Sequence, residues 1–476
     1  MAHQRILLNT LWILILRVVH ISYAFFIFLL VARLLGKEQL GIFSYYLSIG
    51  MLLGFLCGGG IPWWIFRELS KDPEYTRSYL FHAILLHTGL GALIFAGLGI
   101  ISFLEVVSPE RFLYLLMVAG YYLCSAIRDS LIAIFRARER MGVELLVVGC
   151  ERFGILFVSI LGLVFGQGLE WVFIWHLIMG LGSLGLMVVL VLRETSILDR
   201  IDIGVIVRIS TGSSPFFLAA LATWGAFKID TVILYNLVGE GPTGLYNAAY
   251  SLVTGLLIIP ISLGVACFPA FSRLYALKEI PEIRRLLTRS TYLLFLVGLG
   301  LTVWVISFSR PLVIFLYGNE FRDSGSVLQL LIWAAFMIFI RYNAHQLLYA
   351  AKYEWMALWI TLLGMIVNLV LDLLLIPYLG IFGAVWSTLA SGFVEVCLCF
   401  YSVSRRLCSI STEFPLLKPV LSCVGMIICI HFLEGIHWIP QASLSLFVWV
   451  GLLVLTRSVC KGDFELLTPA GTSGCR

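Results

Sequence analysis

The chain has 476 residues, of which 61% are hydrophobic and 12% charged, with a formal net charge of +5 and a mean hydropathy of +1.01. Soluble domains carry about 25% charged residues, so this composition excludes an ordinary soluble enzyme or binding module. The positive balance is explained by membrane topology and gives no reason to expect a nucleic-acid partner.

Taken in order, apolar stretches of about 20 residues recur from end to end, each long enough to cross a bilayer. The first follows the short basic segment Met1–Asn9 and reaches about Ala32, too far for the core of a secretion signal, so it reads as a span. Fourteen spans are predicted, at approximately 9–32, 40–61, 79–104, 112–135, 143–165, 170–192, 212–236, 244–269, 290–309, 326–349, 356–377, 380–402, 419–434 and 440–456. The fold class is an all-α membrane protein. The triplet GGG (58–60) before Pro62 reads as a helix end or hinge rather than a nucleotide loop. The longest connection, SRLYALKEIPEIRRLLTR (272–289), reads as a basic amphipathic segment lying at the cytoplasmic surface. The eleven cysteines fall mostly inside apolar runs and show no C-x-x-C spacing, which suits apolar filler rather than a metal site or disulfides.

Loop charges set the orientation. Of the 32 Lys and Arg residues, 22 fall on the side that holds both termini and 5 (Arg33, Lys37, Arg111, Arg310 and Arg322) on the other. The positive-inside bias therefore predicts cytoplasmic termini and a multi-pass protein of the inner cell membrane. The remaining five, Arg17, Arg128, Arg152, Lys228 and Arg341, lie inside spans.

The chain also repeats itself. LLGKEQLGIFSYYLS (34–48) aligns with LVGEGPTGLYNAAYS (237–251) at an offset of 203, matching Gly36 to Gly239, Gly41 to Gly244, Phe43 to Tyr246 and Ser48 to Ser251. Each copy leads into an apolar span and a basic exit. Six spans separate the copies, so the halves share one orientation, a parallel repeat found in transporters. This predicts a six-helix lobe at 1–205, a second at 206–405, and two further helices with a short tail at 406–476.

Five short patterns, ARLLGKEQLGIFSY (32–45), KIDTVILYNLVGEGPTGLYNAAY (228–250), FPAFSRL (268–274), LYGNEF (316–321) and LLLIPYLGIFGAVWSTLASG (373–392), resemble the Wzx-type polysaccharide and O-antigen flippases of the multidrug/oligosaccharidyl-lipid/polysaccharide exporter (MOP) superfamily. FELL, after Cys460, resembles that family's terminal tail. The resemblance implies two six-helix lobes around a cavity that opens alternately to either side.

An arginine at the centre of an apolar span costs about 2.5–3.5 kcal/mol on insertion scales, so each in-span cation needs a reason. Arg17 and His20 share a helix face with Asn9, Ile13 and Ala24, which suits the wall of a polar cavity or an arginine that snorkels to the interface. Arg128 and Asp129 are adjacent and do not face each other, so each is expected to have its own partner. Glu151 and Arg152 suggest an interhelical ion pair. Lys228 is a cavity cation of the second half, and Asp230 beside it an ion-coupling carboxylate or a structural partner. Arg341 forms a polar patch with Asn343, His345 and Gln346. Asn368 and Asp372, four apart, join helices or bind an ion. The candidate substrate residues are thus Arg17, His20, Lys228, Arg341, Arg128 and Asn343, and the ion-coupling or interhelical ones Asp230, Asp372, Asn368 and Glu151.

The expected function is a flippase that moves polyprenyl-diphosphate-linked oligosaccharides to the outer leaflet for cell-surface polysaccharide, lipopolysaccharide and O-antigen synthesis. No catalysis and no cofactor are expected, and Na+ or H+ coupling is left open. Membrane lipids and other polysaccharide-assembly proteins are the remaining partners. A drug or cation exporter of the same superfamily would carry an acidic, aromatic cavity, whereas the buried charge is at least as basic as acidic. A polysaccharide polymerase or ligase would place its chemistry in a large outer loop, and the longest outer connection, about 310–325, is short.

Overall fold

The computed structural model describes residues 2–104, 108–408 and 417–456, so the tail that carries FELL lies outside the described residues. A backbone in hydrocarbon has no water to bond, and a helix satisfies its own polar groups. The chain accordingly forms α1 (Ala2–Leu56), α2 (Ile61–Leu69), α3 (Thr76–Phe103), α4 (Pro109–Ala137), α5 (Met141–Val164), α6 (Leu169–Leu192), α7 (Ile203–Val238), α8 (Glu240–Leu256), α9 (Ile258–Ala276), α10 (Ile280–Tyr317), α11 (Ser324–Ala350), α12 (Glu354–Leu379), α13 (Ile381–Arg406), α14 (Leu417–Phe432) and α15 (Trp438–Leu455). Among the described residues, twelve stretches are long and apolar enough to span a membrane. One of them, Leu11–Leu56, is broken at Gly36 into two passes, and the shorter α14 supplies another, which accounts for the fourteen predicted. The protein is an all-helical, multi-pass membrane protein.

The repeat is visible in the backbone. Gly36 (φ 85°, ψ −178°) and Gly239 (φ 105°, ψ −174°) adopt the same left-handed extended conformation, which only glycine reaches without strain. Five residues on, the second glycines interlock. A Cβ on Gly41 would strike the carbonyl of Glu240, and one on Gly244 would strike the carbonyl of Lys37. Lys37 and Glu240 are themselves equivalent at the offset of 203. The crossing therefore has a local two-fold symmetry and is made of backbone atoms.

By packing, the chain divides into Met1–Asn247 and Ala248–Arg476. In the first unit, α4 packs on α6, α2 and α1, and α7 on α1 and α2. Asp202 caps α7 by accepting from the Gly204 N–H (2.7 Å), and its own N–H donates to His82 Nε2 (2.8 Å). In the second unit, α11 packs on α10 and α13, and α12 on α13. The additional pair α14 and α15 packs on α10, with Met426, Trp449 and Leu453 buried against Tyr292 and Leu296.

One expectation is corrected. Residues 272–289 do not form a segment lying on the surface. They are the last turn of α9 and the first turns of α10, joined by 277–279 alone. Ile283, Leu286 and Leu287 are buried against Phe271, Leu347 and Leu348. The apolar stripe that suggested a lipid-facing helix is satisfied by neighbouring helices instead. The turn between α10 and α11 is likewise only 318–323.

The Gly41–Gly244 crossing yields a stability prediction. Gly244→Ala forces the helices apart and is expected to lower the melting temperature in detergent by several degrees. Gly97→Ala, in α3 with nothing near the added methyl, leaves the melting temperature unchanged or raises it slightly, through about 0.5–1 kcal/mol of helix propensity. Equal melting temperatures for Gly244→Ala and wild type would refute the backbone crossing.

Candidate functional site

The first unit holds a polar network between α1, α4, α5 and α6. Arg128 on α4 and Glu151 on α5 are both almost fully buried and form an ion pair. Glu151 also accepts from Ser183 of α6 and, through Oε1, from the hydroxyl of Tyr121 (3.0 Å). Arg152 donates to that same hydroxyl (2.5 Å), and its guanidinium lies 4.7 Å above the Tyr23 ring. Tyr23 donates to His176 Nε2 (2.7 Å), and His176 Nδ1 donates to the Val172 carbonyl (2.7 Å). One buried carboxylate thus lies against two guanidiniums, with Arg152 3.9 Å from Glu151. Arg128 reaches round to Asp129 as well, Nη2 to Oδ1 at 2.9 Å. This corrects the expectation of separate partners: adjacent positions point apart on a helix, but the arginine chain is long enough to fold back.

Four other sequence candidates of this unit behave differently. Arg17 and His20 are exposed on α1, and Arg17 has no ion pair among the described residues. Lys228 on α7 is half-buried and likewise makes no salt bridge among the described residues. Asp230, two residues on, is buried, accepts from the Tyr246 hydroxyl (2.5 Å) and keeps Oδ1 without a hydrogen-bond partner. Thr231 beside it donates to Asn247 Oδ1 (3.2 Å), so α7 and α8 share a buried polar layer.

In the second unit, Arg341 of α11 pairs with Glu395 of α13, Nη2 to Oε2 at 2.5 Å. Gly364 of α12 makes this possible, because any side chain there would collide with the Glu395 carboxylate. His345 Nε2 lies 3.4 Å from Thr361 Oγ1 of α12. Asn343, two residues from Arg341 and so about 200° round the helix, is fully buried, and neither side-chain amide atom has a hydrogen-bond partner among the described residues. The polar patch expected on α11 is therefore two sites on opposite faces. Asn368 and Asp372 are buried on α12. Close contacts of Gly364 with Glu395 and of Gly383 with Ile376 set the antiparallel register of α12 on α13. That register places Asn368 level with Ser391 and Asp372 level with Ser387. Among the described residues no group of three His, Cys, Asp or Glu side chains could hold a metal ion.

Comparison with known proteins decides the family. The polysaccharide biosynthesis protein family matches residues 6–275, and the lipid II flippase MurJ family matches residues 161–456. The chain belongs to the MOP superfamily of membrane flippases and exporters. A search of curated proteins finds no match. Among solved structures it is similar to a lipid II flippase MurJ in an inward closed conformation, at 14% identity and a TM-score of 0.76, covering 95% of this chain and 99% of that one. It is similar also to an inward-facing multidrug resistance MATE family transporter, at 14% identity and a TM-score of 0.62, covering 81% and 94%. A MOP superfamily transporter from Pyrococcus furiosus aligns at 15% identity and a TM-score of 0.57, covering 84% and 95%. At these identities the structural likenesses speak for the fold.

For this MOP protein the five in-span cations therefore separate. Arg128, Arg152 and Arg341 lie against glutamates, whereas Arg17 and Lys228 form no salt bridge among the described residues, Asp230 being the carboxylate nearest to Lys228 in the chain. Sequence reasoning missed Glu395, Tyr121, Tyr23 and His176. A census of in-span acids would have found Glu395, because a glutamate in an apolar span needs a cation as much as the reverse. Glu151→Gln leaves two guanidiniums against a neutral amide and is expected to cost about 3–5 kcal/mol of stability. Thermal unfolding in detergent measures it, with exposed Arg17→Ala as the control that stays within about 0.5 kcal/mol of wild type. A Glu151→Gln variant as stable as wild type would show that the carboxylate does not bear this charge.

Proposed function

We propose that this protein is a flippase for polyprenyl-diphosphate-linked oligosaccharides, carrying the headgroup from the cytoplasmic to the outer leaflet by alternating access, with both termini in the cytoplasm. The observation that carries the reading is the pair of cations on apolar helices that form no salt bridge among the described residues, Arg17 and Lys228, in a chain matched by a polysaccharide biosynthesis family and a lipid II flippase family. A diphosphate sugar brings about two negative charges and many hydroxyls, none of which enters hydrocarbon unaided. A cation already spent on a glutamate compensates little of that charge, so Arg17 and Lys228 carry the anion and the Arg341–Glu395 pair holds α11 to α13. His20, exposed one turn from Arg17, offers a further polar contact.

Outward movement of two negative charges across ~100 mV gains about 4.6 kcal/mol, which favours release outside unless protein charge moves with the headgroup. Where flux is also driven by Na+ or H+, the buried carboxylates available are Asp230 in the first unit and Asp372, beside Asn368, in the second.

The test is headgroup translocation by purified protein in liposomes. Arg17→Ala and Lys228→Ala are expected to slow it at least tenfold without lowering the melting temperature, whereas Arg341→Ala lowers the melting temperature, and Arg341→Ala with Glu395→Ala restores part of it. Full activity in both Arg17→Ala and Lys228→Ala sinks the cation reading. Transport of organic cations with no movement of the diphosphate lipid would assign the protein to drug export instead.

A further inference from the structure

A cleft in the second unit is unrelated to the cations of the apolar spans. It encloses about 450 Å³ and is lined by Lys352, Tyr353, Trp355, Met356, Trp359 and Arg406. Lys352 (φ 62°) occupies the left-handed position that closes α11, and Arg406 ends α13. Trp355 and Trp359 stand four apart on one face of α12, 59% and 60% exposed. α12 has 26 residues, about 39 Å at 1.5 Å each, against a hydrocarbon thickness of about 30 Å. Its first turns therefore reach the headgroup layer, with the two indoles at the boundary of the acyl chains.

The charge of this cleft distinguishes it from several other cation clusters of the same basic side. Arg67 and Lys71 pair with Glu68, Arg136 with Glu144, and Arg138 and Arg140 with Glu194. The hydrogen bond from Arg140, with Arg138 alongside, holds the Glu194 carboxyl below the usual carboxylate range. Lys352 and Arg406 have no such carboxylate among the described residues, and neither indole N–H has a hydrogen-bond acceptor in the protein among them. Two uncompensated cations, two free indole donors and an apolar floor are complementary to one ligand: a phosphate ester that carries acyl chains.

We propose that this cleft binds the headgroup of an anionic phospholipid, with Lys352 and Arg406 on the phosphate and Trp355 and Trp359 against the glycerol and upper acyl chains. Bound there, the lipid bridges the end of α11 and the end of α13.

The test uses full-length protein in nanodiscs of phosphatidylcholine doped with bromine-labelled phosphatidylglycerol or bromine-labelled phosphatidylcholine. The fluorescence lost on Trp355→Phe with Trp359→Phe defines the signal of the cleft. Bromine-labelled phosphatidylglycerol is expected to quench that signal at a mole fraction at least tenfold lower than the phosphatidylcholine. Lys352→Gln with Arg406→Gln removes the preference, about fivefold for each charge. Lys352→Arg with Arg406→Lys retains it, and inorganic phosphate does not displace the lipid. Equal quenching by the two lipids in wild type, or a preference that survives the double Gln substitution, overturns the proposal. Displacement by inorganic phosphate would show a site for the free anion and overturns it equally. The wild-type comparison stands even where a variant fails to fold.

Discussion

A charge inside a membrane must find a partner, and most of this structure can be read as the consequence. Glu151 and Glu395 are each buried in a junction of helices, and each draws an arginine from another helix. The desolvation cost of two ions is recovered only where geometry and further hydrogen bonds are good. That is why Ser183 and Tyr121 converge on Glu151, and why α12 gives up a side chain at Gly364 beneath Glu395. Each such pair cross-links helices that hydrophobic attraction alone would not distinguish from lipid. The cations left over are then informative. Arg17 and Lys228 occupy apolar helices without a salt bridge to a glutamate among the described residues, which is why the proposed function rests on them.

The second organising feature is the repeat. Gly36 and Gly239 turn the chain in the same way before equivalent helices, and Gly41 and Gly244 let those helices meet at backbone distance. A contact of this kind has no long side chains to interdigitate. It gives a tight crossing whose register is set by carbonyl positions rather than by packing of branched residues. The residues 240–247 that make it belong by packing to the first unit, although the sequence reading places them inside the second lobe, 206–405. The repeat read from the sequence and the packing therefore divide the chain at different places.

Much of this was legible in the residue order. Span number, helical class and the repeat follow from hydropathy and from glycine spacing, both local properties. The pairing of charges was less legible. The adjacency of Arg128 and Asp129 suggested two separate partners, yet the arginine bridges its neighbour and Glu151 at once, since helix geometry fixes where a side chain starts and not where a five-bond chain ends. Arg341 read as a free cation because its glutamate lies 54 positions away on another helix. The segment 272–289 read as surface-bound because an amphipathic stripe looks the same whether lipid or α11 covers it.

By itself, then, the order of residues determined that the chain spans a membrane many times, that one glycine-spaced segment recurs at an offset of 203, and that five cations sit in apolar stretches. These follow from transfer free energies and backbone sterics, which act along the chain. Only the tertiary structure decided which of those cations form ion pairs with a glutamate of another helix and which do not. That depends on Coulomb interactions between helices far apart in sequence, whose strength is set by angstrom-scale distances and burial that no local pattern encodes.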